Sequence, residues 1–236
     1  MMVHNGLEGI VAAETRLSMV DGERGELVIG GQRVQELASL RFEEVVALLW
    51  EGTKPKAVAL PPHSEALLRN VAGSGVDVMD ALRMACGTLT AKDDAKAARV
   101  LVGSFPTIVA AYWRLLHGRE PIAPREDLGL AANYLWMLNG VEPHAELVRG
   151  LETYLNTVSD HGLNASTFTA RVITSTGSDF ISAVTGAIGA LKGPLHGGAP
   201  GPALDMVFAI GDASRAEEYL RQKIEAGERL MGFGHR

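Results

Sequence analysis

Apolar residues recur at helical spacing through most of the chain. Between Val34 and Trp50, apolar side chains return every three or four positions, as on one face of an α-helix. Only residues 7–34 have strand character, and the turn pairs Asp21-Gly22 and Gly30-Gly31 favour a small hairpin there. The pattern therefore predicts an all-α protein with one small N-terminal β hairpin. Further helices are predicted over residues 64–72, 76–86, 91–103, 105–116, 128–138, 143–158, 167–175, 179–191, 203–210 and 214–230.

Three of these segments carry features that affect packing. Pro106 is expected to interrupt or kink the helix there, because proline lacks a backbone N–H. The segment 143–158 is strongly amphipathic, and its apolar face consists of Leu147, Leu151, Tyr154, Leu155 and Val158. Small side chains form a stripe on one face of the helix at 179–191, which favours either close core packing or a dimer contact; they are Ser182, Gly186, Gly189 and Ala190.

Composition excludes several classes of protein. The 236 residues are 47% hydrophobic and 21% charged, an ordinary globular balance for one or two domains. The net charge of −6 argues against a dedicated binder of nucleic acid or of an anionic membrane. The single cysteine, Cys86, cannot form an internal disulfide and fits a reducing compartment. With no signal-peptide pattern and no apolar run of about 20 residues, we expect a soluble, cytoplasmic protein.

Two histidines lie in short connections between predicted helices. His161 stands in the stretch Asp160–Thr167, where Asn164 or Ser166 can cap the following helix. Such a position can aim the imidazole into a cleft, although a helix C-terminus also favours a purely structural histidine. His196 stands among three glycines and two prolines, a backbone that can present bare N–H groups at a cavity wall. The alternative for His196 is a simple connector between helices.

A third histidine, His235, lies in the last residues of the chain. Glycine alternates there with apolar residues, which allows close approach of the backbone to a planar group. The stretch lacks the glycine spacing of a dinucleotide-binding fingerprint. A metal site built on His161, His196 and His235 is disfavoured, because none has the short spacing of paired ligands. We predict no metal.

Four stretches stand out when they are taken together. They are Gly6-Leu7-Glu8-Gly9 with Asp21-Gly22, His161-Gly162-Leu163-Asn164-Ala165-Ser166-Thr167-Phe168, Leu191-Lys192-Gly193-Pro194-Leu195-His196-Gly197-Gly198-Ala199, and Met231-Gly232-Phe233-Gly234-His235-Arg236. In their order and separations they resemble the citrate synthase family in its bacterial form, which includes the 2-methylcitrate synthases. The resemblance covers essentially the whole chain, and the combination is highly specific.

The resemblance implies an α-helical homodimer whose subunits have a large and a small domain. Residues 1–195 would form the N-terminal part of the large helical domain, and residues 196–236 the start of the small one. The implied reaction condenses acetyl-CoA with oxaloacetate and then hydrolyses citryl-CoA. No permanently bound cofactor is implied, since acetyl-CoA is a substrate and CoA a product. The expected partners are these small molecules and a second copy of the chain, with no nucleic acid and no membrane.

The resemblance also assigns roles to individual residues. His196 matches the donor to the thioester oxygen, His235 the group that polarises the ketone, and His161 a ligand of the oxaloacetate carboxylate region. Imidazoles can donate hydrogen bonds near pH 7, which suits these tasks. The helix at 179–191 matches part of the family's dimer interface. The backbone that matches the contact with the CoA adenine is that of Leu230, Met231, Gly232, Phe233 and Gly234.

The resemblance further implies that some catalytic groups lie beyond Arg236. These are the aspartate that removes the methyl proton and the arginines that bind the substrate carboxylates. We therefore expect an incomplete or truncated citrate synthase with a truncated small domain, and the activity of this chain alone stays open. Three alternatives remain: a 2-methylcitrate synthase that uses propionyl-CoA, a non-catalytic relic that dimerises or binds acyl-CoA, and the reverse cleavage of citryl-CoA.

Overall fold

A computed structural model describes residues 13–50, 52–198, 200–230 and 232. The described residues are mostly helical, in agreement with the predicted all-α class. The helices are α1 (Val34–Leu37), α2 (Phe42–Leu49), α3 (Pro62–Ala72), α4 (Val78–Cys86), α5 (Asp94–Leu116), α6 (Leu130–Asn139), α7 (Ala145–Thr157), α8 (Ala165–Thr174), α9 (Phe180–Leu191), α10 (Pro200–Ile210) and α11 (Ala216–Glu225), with a 3₁₀ turn at Ala213–Arg215.

The predicted hairpin is part of a three-stranded antiparallel sheet. Strand β1 (Ser18–Asp21) pairs with β2 (Glu26–Ile29), which pairs in turn with the short β3 (Gln32–Arg33). Gly30 and Gly31 connect β2 to β3 with φ values of 57° and 81°, a left-handed conformation that favours glycine. The sheet thus has one more strand than the sequence predicted.

The main core lies where α4, α5 and α9 pack together, with α3 alongside. Leu68, Ile108 and Tyr112 are fully buried there, and the Tyr112 hydroxyl donates a hydrogen bond to the Val76 carbonyl. Each buried side chain of this size stabilises the fold by about 1.5–3 kcal/mol. A smaller cluster joins the sheet to α1 and α2. By contrast, neither α10 nor α11 has a buried residue.

Helix α5 continues through Pro106, so of the two expected effects, an interruption or a kink, the interruption is wrong. An internal proline costs about 3 kcal/mol, but buried side chains on both sides of it, such as Leu101 and Ile108, hold the helix in the core. A neighbouring segment also supplies bonds at this point. The Val58 N–H donates to the Gly103 carbonyl at 2.9 Å, and Thr107 Oγ1 donates to the Val58 carbonyl at 2.8 Å.

The segment from Val34 to Trp50, predicted as one helix, forms two helices separated by residues 38–41. Side chains of α7 satisfy the carbonyl groups at this break. Asn156 Nδ2 donates to the carbonyls of Leu37 and Leu40 at 3.0 and 2.8 Å, and Arg149 donates to those of Ala38 and Leu40. Because these carbonyls find partners outside the helix, the break costs little. The last predicted helix is likewise shorter and ends at Glu225.

Helix α7 packs through its polar face. Glu152 and Asn156 are buried, whereas Leu147, Tyr154 and Val158 are 58%, 57% and 49% exposed. The physical reason is the break between α1 and α2, whose carbonyl groups require polar partners. The apolar face identified from the sequence is therefore only partly covered in the single chain, since Leu151 and Leu155 are half-buried and its other three residues are exposed.

One residue of the small stripe on α9, Gly186, packs within the chain, whereas Ser182 and Gly189 of the stripe are exposed. A Cβ on Gly186 would lie 2.4 Å from Cδ1 of Ile173 on α8, so the two helices approach closely at this glycine. Among the residues that the structure describes, no helix is long and apolar enough to cross a membrane.

Candidate active site

The turn between α7 and α8 contains the predicted substrate-binding residue His161. His161 is exposed, and Gly162 beside it has a φ of 92°. Asp160 fixes the turn, because its Oδ1 accepts hydrogen bonds from the Gly162 N–H and from the Ser18 hydroxyl of β1. The sheet therefore anchors the connection that carries His161.

Asn164 caps the first turn of α8. Its Oδ1 accepts the Thr167 N–H at 2.9 Å and also lies 2.8 Å from Ser166 Oγ. The sequence left Asn164 and Ser166 open as capping residues, and the structure assigns the cap to Asn164. The Ser166 hydroxyl, which donates to this oxygen, can still accept a hydrogen bond from another group.

The loop after α9 holds the predicted catalytic residue His196. Three backbone bonds wind the loop tightly: the His196 and Gly198 N–H groups donate to the Gly193 carbonyl, and the Gly197 N–H donates to the Leu191 carbonyl at 2.8 Å. A Cβ at position 197 would lie 2.4 Å from that carbonyl oxygen. Glycine is thus required at position 197 for the loop to close in this form.

The His196 imidazole reaches the first turn of α8. Its Nε2 lies 2.9 Å from Ser166 Oγ, which connects two loops that are 30 residues apart in sequence. A hydroxyl has one hydrogen to donate. If Ser166 donates to Asn164, the imidazole must donate from Nε2 and leaves a lone pair on Nδ1. If Ser166 instead donates to Nε2, Nδ1 carries the proton and becomes the free donor.

An ion pair holds the start of the His196 loop on the core. Lys192, which follows α9, places its Nζ 2.7 Å from both carboxylate oxygens of Asp80 on α4. The hydrogen bond from Lys192 lowers the pKa of Asp80, with a smaller contribution from Arg83. The sequence alone did not reveal this pair, because its members are 112 positions apart.

Most of the last predicted stretch, Met231-Gly232-Phe233-Gly234-His235-Arg236, lies outside the described residues. The roles predicted for Met231, Phe233, Gly234 and His235 therefore stay predictions. Leu230 and Gly232 are described, and a Cβ on Gly232 would lie 3.3 Å from Ala203 Cβ on α10. Leu230 lines a cleft of about 300 Å³ together with Met206 of α10 and Tyr219 of α11.

The structure places His196 against the first turn of α8, which begins four residues after His161. Ser166 is a contact that the sequence did not assign to His196. Its place in the stretch Asp160–Thr167, shared with His161, is the signal that could have pointed to it. Within the described ranges, no group of three or more histidine, cysteine or acidic side chains could hold a metal ion.

The fold is that of solved citrate synthases. It matches the crystal structure of citrate synthase from Thermotoga maritima with a TM-score of 0.85 and 35% identity, over 99% of this chain and 68% of that one. The enzyme from Pyrobaculum aerophilum matches with a TM-score of 0.86 and 37% identity, over 98% and 65%. Citrate synthase from Thermoplasma acidophilum, solved in a ternary complex with carboxymethyl coenzyme A and oxaloacetate, matches with a TM-score of 0.79 and 28% identity, over 96% and 66%.

The family profile and the curated relatives agree with the fold. The profile described as "Citrate synthase, C-terminal domain" matches residues 6–236. The 2-methylcitrate synthase of Mycobacterium tuberculosis is 42% identical over 99% of this chain and 65% of its own length. Citrate synthase 2 of Bacillus subtilis is 40% identical over 100% and 69%, and citrate synthase of Haloferax volcanii is 38% identical over 98% and 68%. The chain belongs to the citrate synthase family, and it spans about two thirds of the length of these relatives.

Proposed function

We propose that the chain carries the larger part of a citrate synthase site, which condenses acetyl-CoA with oxaloacetate and hydrolyses the citryl-CoA formed. The observation that carries the proposal is the hydrogen bond between His196 and Ser166. This bond fixes an imidazole between two loops whose sequences both match the family. The wider support is the match of fold and sequence over nearly the whole chain.

The proposed chemistry assigns a distinct task to each histidine. Removal of a proton from the thioester methyl group leaves negative charge on the thioester oxygen, and a donor placed there stabilises the enolate. His196 is that donor. The enolate carbon attacks the ketone carbon of oxaloacetate, and His235 polarises the ketone and supplies a proton to its oxygen. His161 binds the carboxylate region, and water then cleaves the thioester to release citrate and CoA.

The Ser166 hydroxyl decides which nitrogen of His196 can act as the donor. Nε2 is occupied by Ser166 Oγ, so the nitrogen that is free to meet the thioester oxygen is Nδ1. Nδ1 of a neutral imidazole carries the proton only when Nε2 accepts a hydrogen bond. In the proposed reaction Ser166 therefore donates to Nε2, and the bond from Ser166 to Asn164 is released. Ser166 is in this sense a positioning residue.

The backbone of residues 230–234 is proposed to meet the CoA adenine. The cleft beside Leu230 supports this proposal, since it lies between α10 and α11 and is lined by both apolar and charged side chains. No permanently bound cofactor is needed for the reaction, because acetyl-CoA enters as a substrate and CoA leaves as a product.

A chimaeric protein tests the proposal. The C-terminal third of Bacillus subtilis citrate synthase 2, where the resemblance predicts the remaining catalytic groups, is fused after Arg236, and thiol release from acetyl-CoA is measured with and without oxaloacetate. We expect oxaloacetate-dependent release that falls by about 10²–10⁴-fold in His196→Ala, the range for loss of one acid–base group. A chimaera that folds but releases thiol equally well with His196→Ala would refute the proposal.

A second candidate reaction uses propionyl-CoA instead of acetyl-CoA. The 42% identity with the 2-methylcitrate synthase of Mycobacterium tuberculosis favours it. The two substrates differ by one methylene, which is worth about 1–3 kcal/mol in an apolar pocket. The ratio of kcat/KM for the two thioesters in the same chimaera distinguishes the candidates.

The proposed enzyme is a cytoplasmic homodimer. The support for a dimer is the apolar face of α7, where Leu147, Tyr154 and Val158 are about half exposed in the single chain. Exposed apolar surface of this kind marks contacts between proteins. Light scattering during gel filtration measures the mass directly, and a monomer at micromolar concentration would contradict this part of the proposal.

A further inference from the structure

Ser18 lies at the start of β1 and is half-buried. Its partner across the sheet is Ile29 of β2, which is fully buried in the cluster that joins the sheet to α1 and α2. The Leu17 carbonyl accepts the Gly30 N–H at 2.8 Å, so the pairing continues to the residue before Ser18. The buried cluster therefore fixes the backbone of Ser18, and with it the place from which the hydroxyl donates.

The Ser18 hydroxyl donates to Asp160, which lies 142 positions later in the turn between α7 and α8. The same oxygen, Asp160 Oδ1, accepts the Gly162 N–H at 3.0 Å. A bond from an aspartate side chain to the N–H two residues further on forms an Asx turn, which shapes the backbone locally. An ionised carboxylate only accepts hydrogen bonds, so both donors can act on it at once. Asp160 thus has one local donor and one donor from the sheet.

His161 lies inside that turn and depends on it for its position. The residue is exposed, and within the described part of the chain its imidazole forms no hydrogen bond or ion pair. The backbone of the turn therefore determines where the ring is presented. On the far side of the turn, the Gly162 carbonyl accepts the Asn164 N–H at 3.1 Å, and Asn164 caps α8. Helix α8 fixes one end of the turn, and the bond from Ser18 fixes the other.

We propose that Ser18 is a positioning residue for oxaloacetate: through Asp160, its hydroxyl holds His161 where the imidazole meets the substrate carboxylates. This inference rests on the role proposed above for His161. Without the hydroxyl, Asp160 keeps only its local donor and the turn can take more conformations, so substrate binding must order it at a cost in affinity. The His196 loop is held separately, through Ser166. Loss of the Ser18 hydroxyl should therefore weaken oxaloacetate binding and leave the later steps nearly unchanged.

Steady-state kinetics of the chimaera, with oxaloacetate as the varied substrate, test the effect on binding. We expect Ser18→Ala to raise the KM for oxaloacetate about 10-fold, the size of one hydrogen bond to a charged group, with kcat changed less than about 2-fold. Ser18→Thr keeps the hydroxyl and should restore the KM. Ser39→Ala is the matched control, since it removes a hydroxyl that bonds locally, to the Glu36 carbonyl at 2.9 Å. A KM in Ser18→Ala equal to that of the control would overturn the proposal.

Amide hydrogen exchange of the 236-residue chain tests the positional link without any turnover. The Gly162 amide is bonded to Asp160, and we expect its exchange rate to rise about 10-fold in Ser18→Ala relative to Ser39→Ala. The Ile108 amide in the main core reports global opening, against which the Gly162 rate is compared. Equal Gly162 exchange rates in the two variants would contradict a link from the sheet to the turn and sink the proposal.

Two further variants of the chimaera separate this inference from the assignment of His161. If Ser18 acts through Asp160, Ser18→Ala should add no further rise in KM to Asp160→Ala, and additive effects would refute that route. His161→Ala should raise the KM for oxaloacetate more than Ser18→Ala does. If His161→Ala leaves the KM unchanged, the proposed function loses its carboxylate ligand, and the role of Ser18 fails with it. If His161→Ala raises the KM and Ser18→Ala does not, only the role of Ser18 is wrong.

Discussion

Gly197→Ala is the substitution that best tests the geometry of the His196 loop. The added Cβ would lie 2.4 Å from the Leu191 carbonyl oxygen, whereas ordinary contact begins at 3.4 Å, so the backbone must move by about 1 Å. Overpacking of this kind costs about 1–3 kcal/mol. Loss of the bond from the Gly197 N–H to Leu191 adds about 1 kcal/mol. We expect a total destabilisation of about 2–4 kcal/mol.

The same movement has a functional consequence. His196 is the neighbour of the substituted residue, and its Nε2 lies 2.9 Å from Ser166 Oγ. A displacement of 1 Å breaks that hydrogen bond, and misplacement of this size costs about 10²-fold in rate. We therefore expect kcat for thiol release by the chimaera to fall about 100-fold under conditions where the variant remains folded.

Urea unfolding measures the stability, and Gly201→Ala is the matched control. Gly201 lies four residues further along, in the first turn of α10, and a Cβ there meets nothing within 4 Å. Its substitution should change the free energy of unfolding by less than about 1 kcal/mol. If Gly197→Ala were as stable and as active as Gly201→Ala, the close approach of the loop to the Leu191 carbonyl would be wrong.

Three further predictions concern other contacts. Ser166→Ala should lower kcat by about 10-fold or more with little change in KM, because the imidazole keeps its place but the position of its proton is no longer fixed. If Ser166 bound substrate instead, steady-state kinetics of the chimaera would show a raised KM. Gly103→Ala should destabilise the chain by about 2–4 kcal/mol, because its Cβ would lie 2.2 Å from the Lys56 carbonyl oxygen. In urea unfolding, a more stable Gly103→Ala would contradict that contact, and Gly150→Ala, with open space at its Cβ, serves as the control. Asp80→Asn should reduce stability at neutral pH and have no such effect in acid. The lowered pKa of Asp80 stabilises the fold at pH values above the ordinary aspartate pKa, and this contribution is lost once the pH falls below the pKa in the folded chain. The same difference in unfolding midpoint between wild type and variant at pH 7 and at pH 2 would refute the prediction.

Local patterns predicted helices well where one face is buried, as in α3, α4, α5 and α9, which share the main core. The boundaries failed where a distant segment supplied the deciding contact. Pro106 does not end α5, since buried side chains on both sides hold the helix in the core and Val58 donates to the neighbouring Gly103 carbonyl. The helix predicted from Val34 to Trp50 breaks because Asn156 and Arg149 take up its carbonyl groups. No local signal encodes such long-range partners.

In the candidate site, too, local patterns predicted some features, and contacts between distant segments decided the others. Glycine and proline around His196 predicted a tightly wound loop, and the Gly197 contact agrees with that prediction. The pairing of His196 with Ser166 depends on how α8 and α9 pack, which no spacing in the sequence specifies. The amphipathic pattern of α7 was real, but it could not say which face would pack, because the buried polar face serves carbonyl groups more than 100 residues earlier in the chain.

The contacts between α7 and residues 37–40 constrain the order of events during synthesis. Asn156 and Leu37 are separated by 119 positions, and Arg149 and Ala38 by 111. At about 5–20 residues per second, a ribosome needs roughly 5–25 seconds to make that much chain. For all of that time the carbonyl groups after α1 must remain hydrated or find temporary partners. The N-terminal sheet and its two short helices therefore reach their final arrangement only after more than half of the polypeptide has emerged.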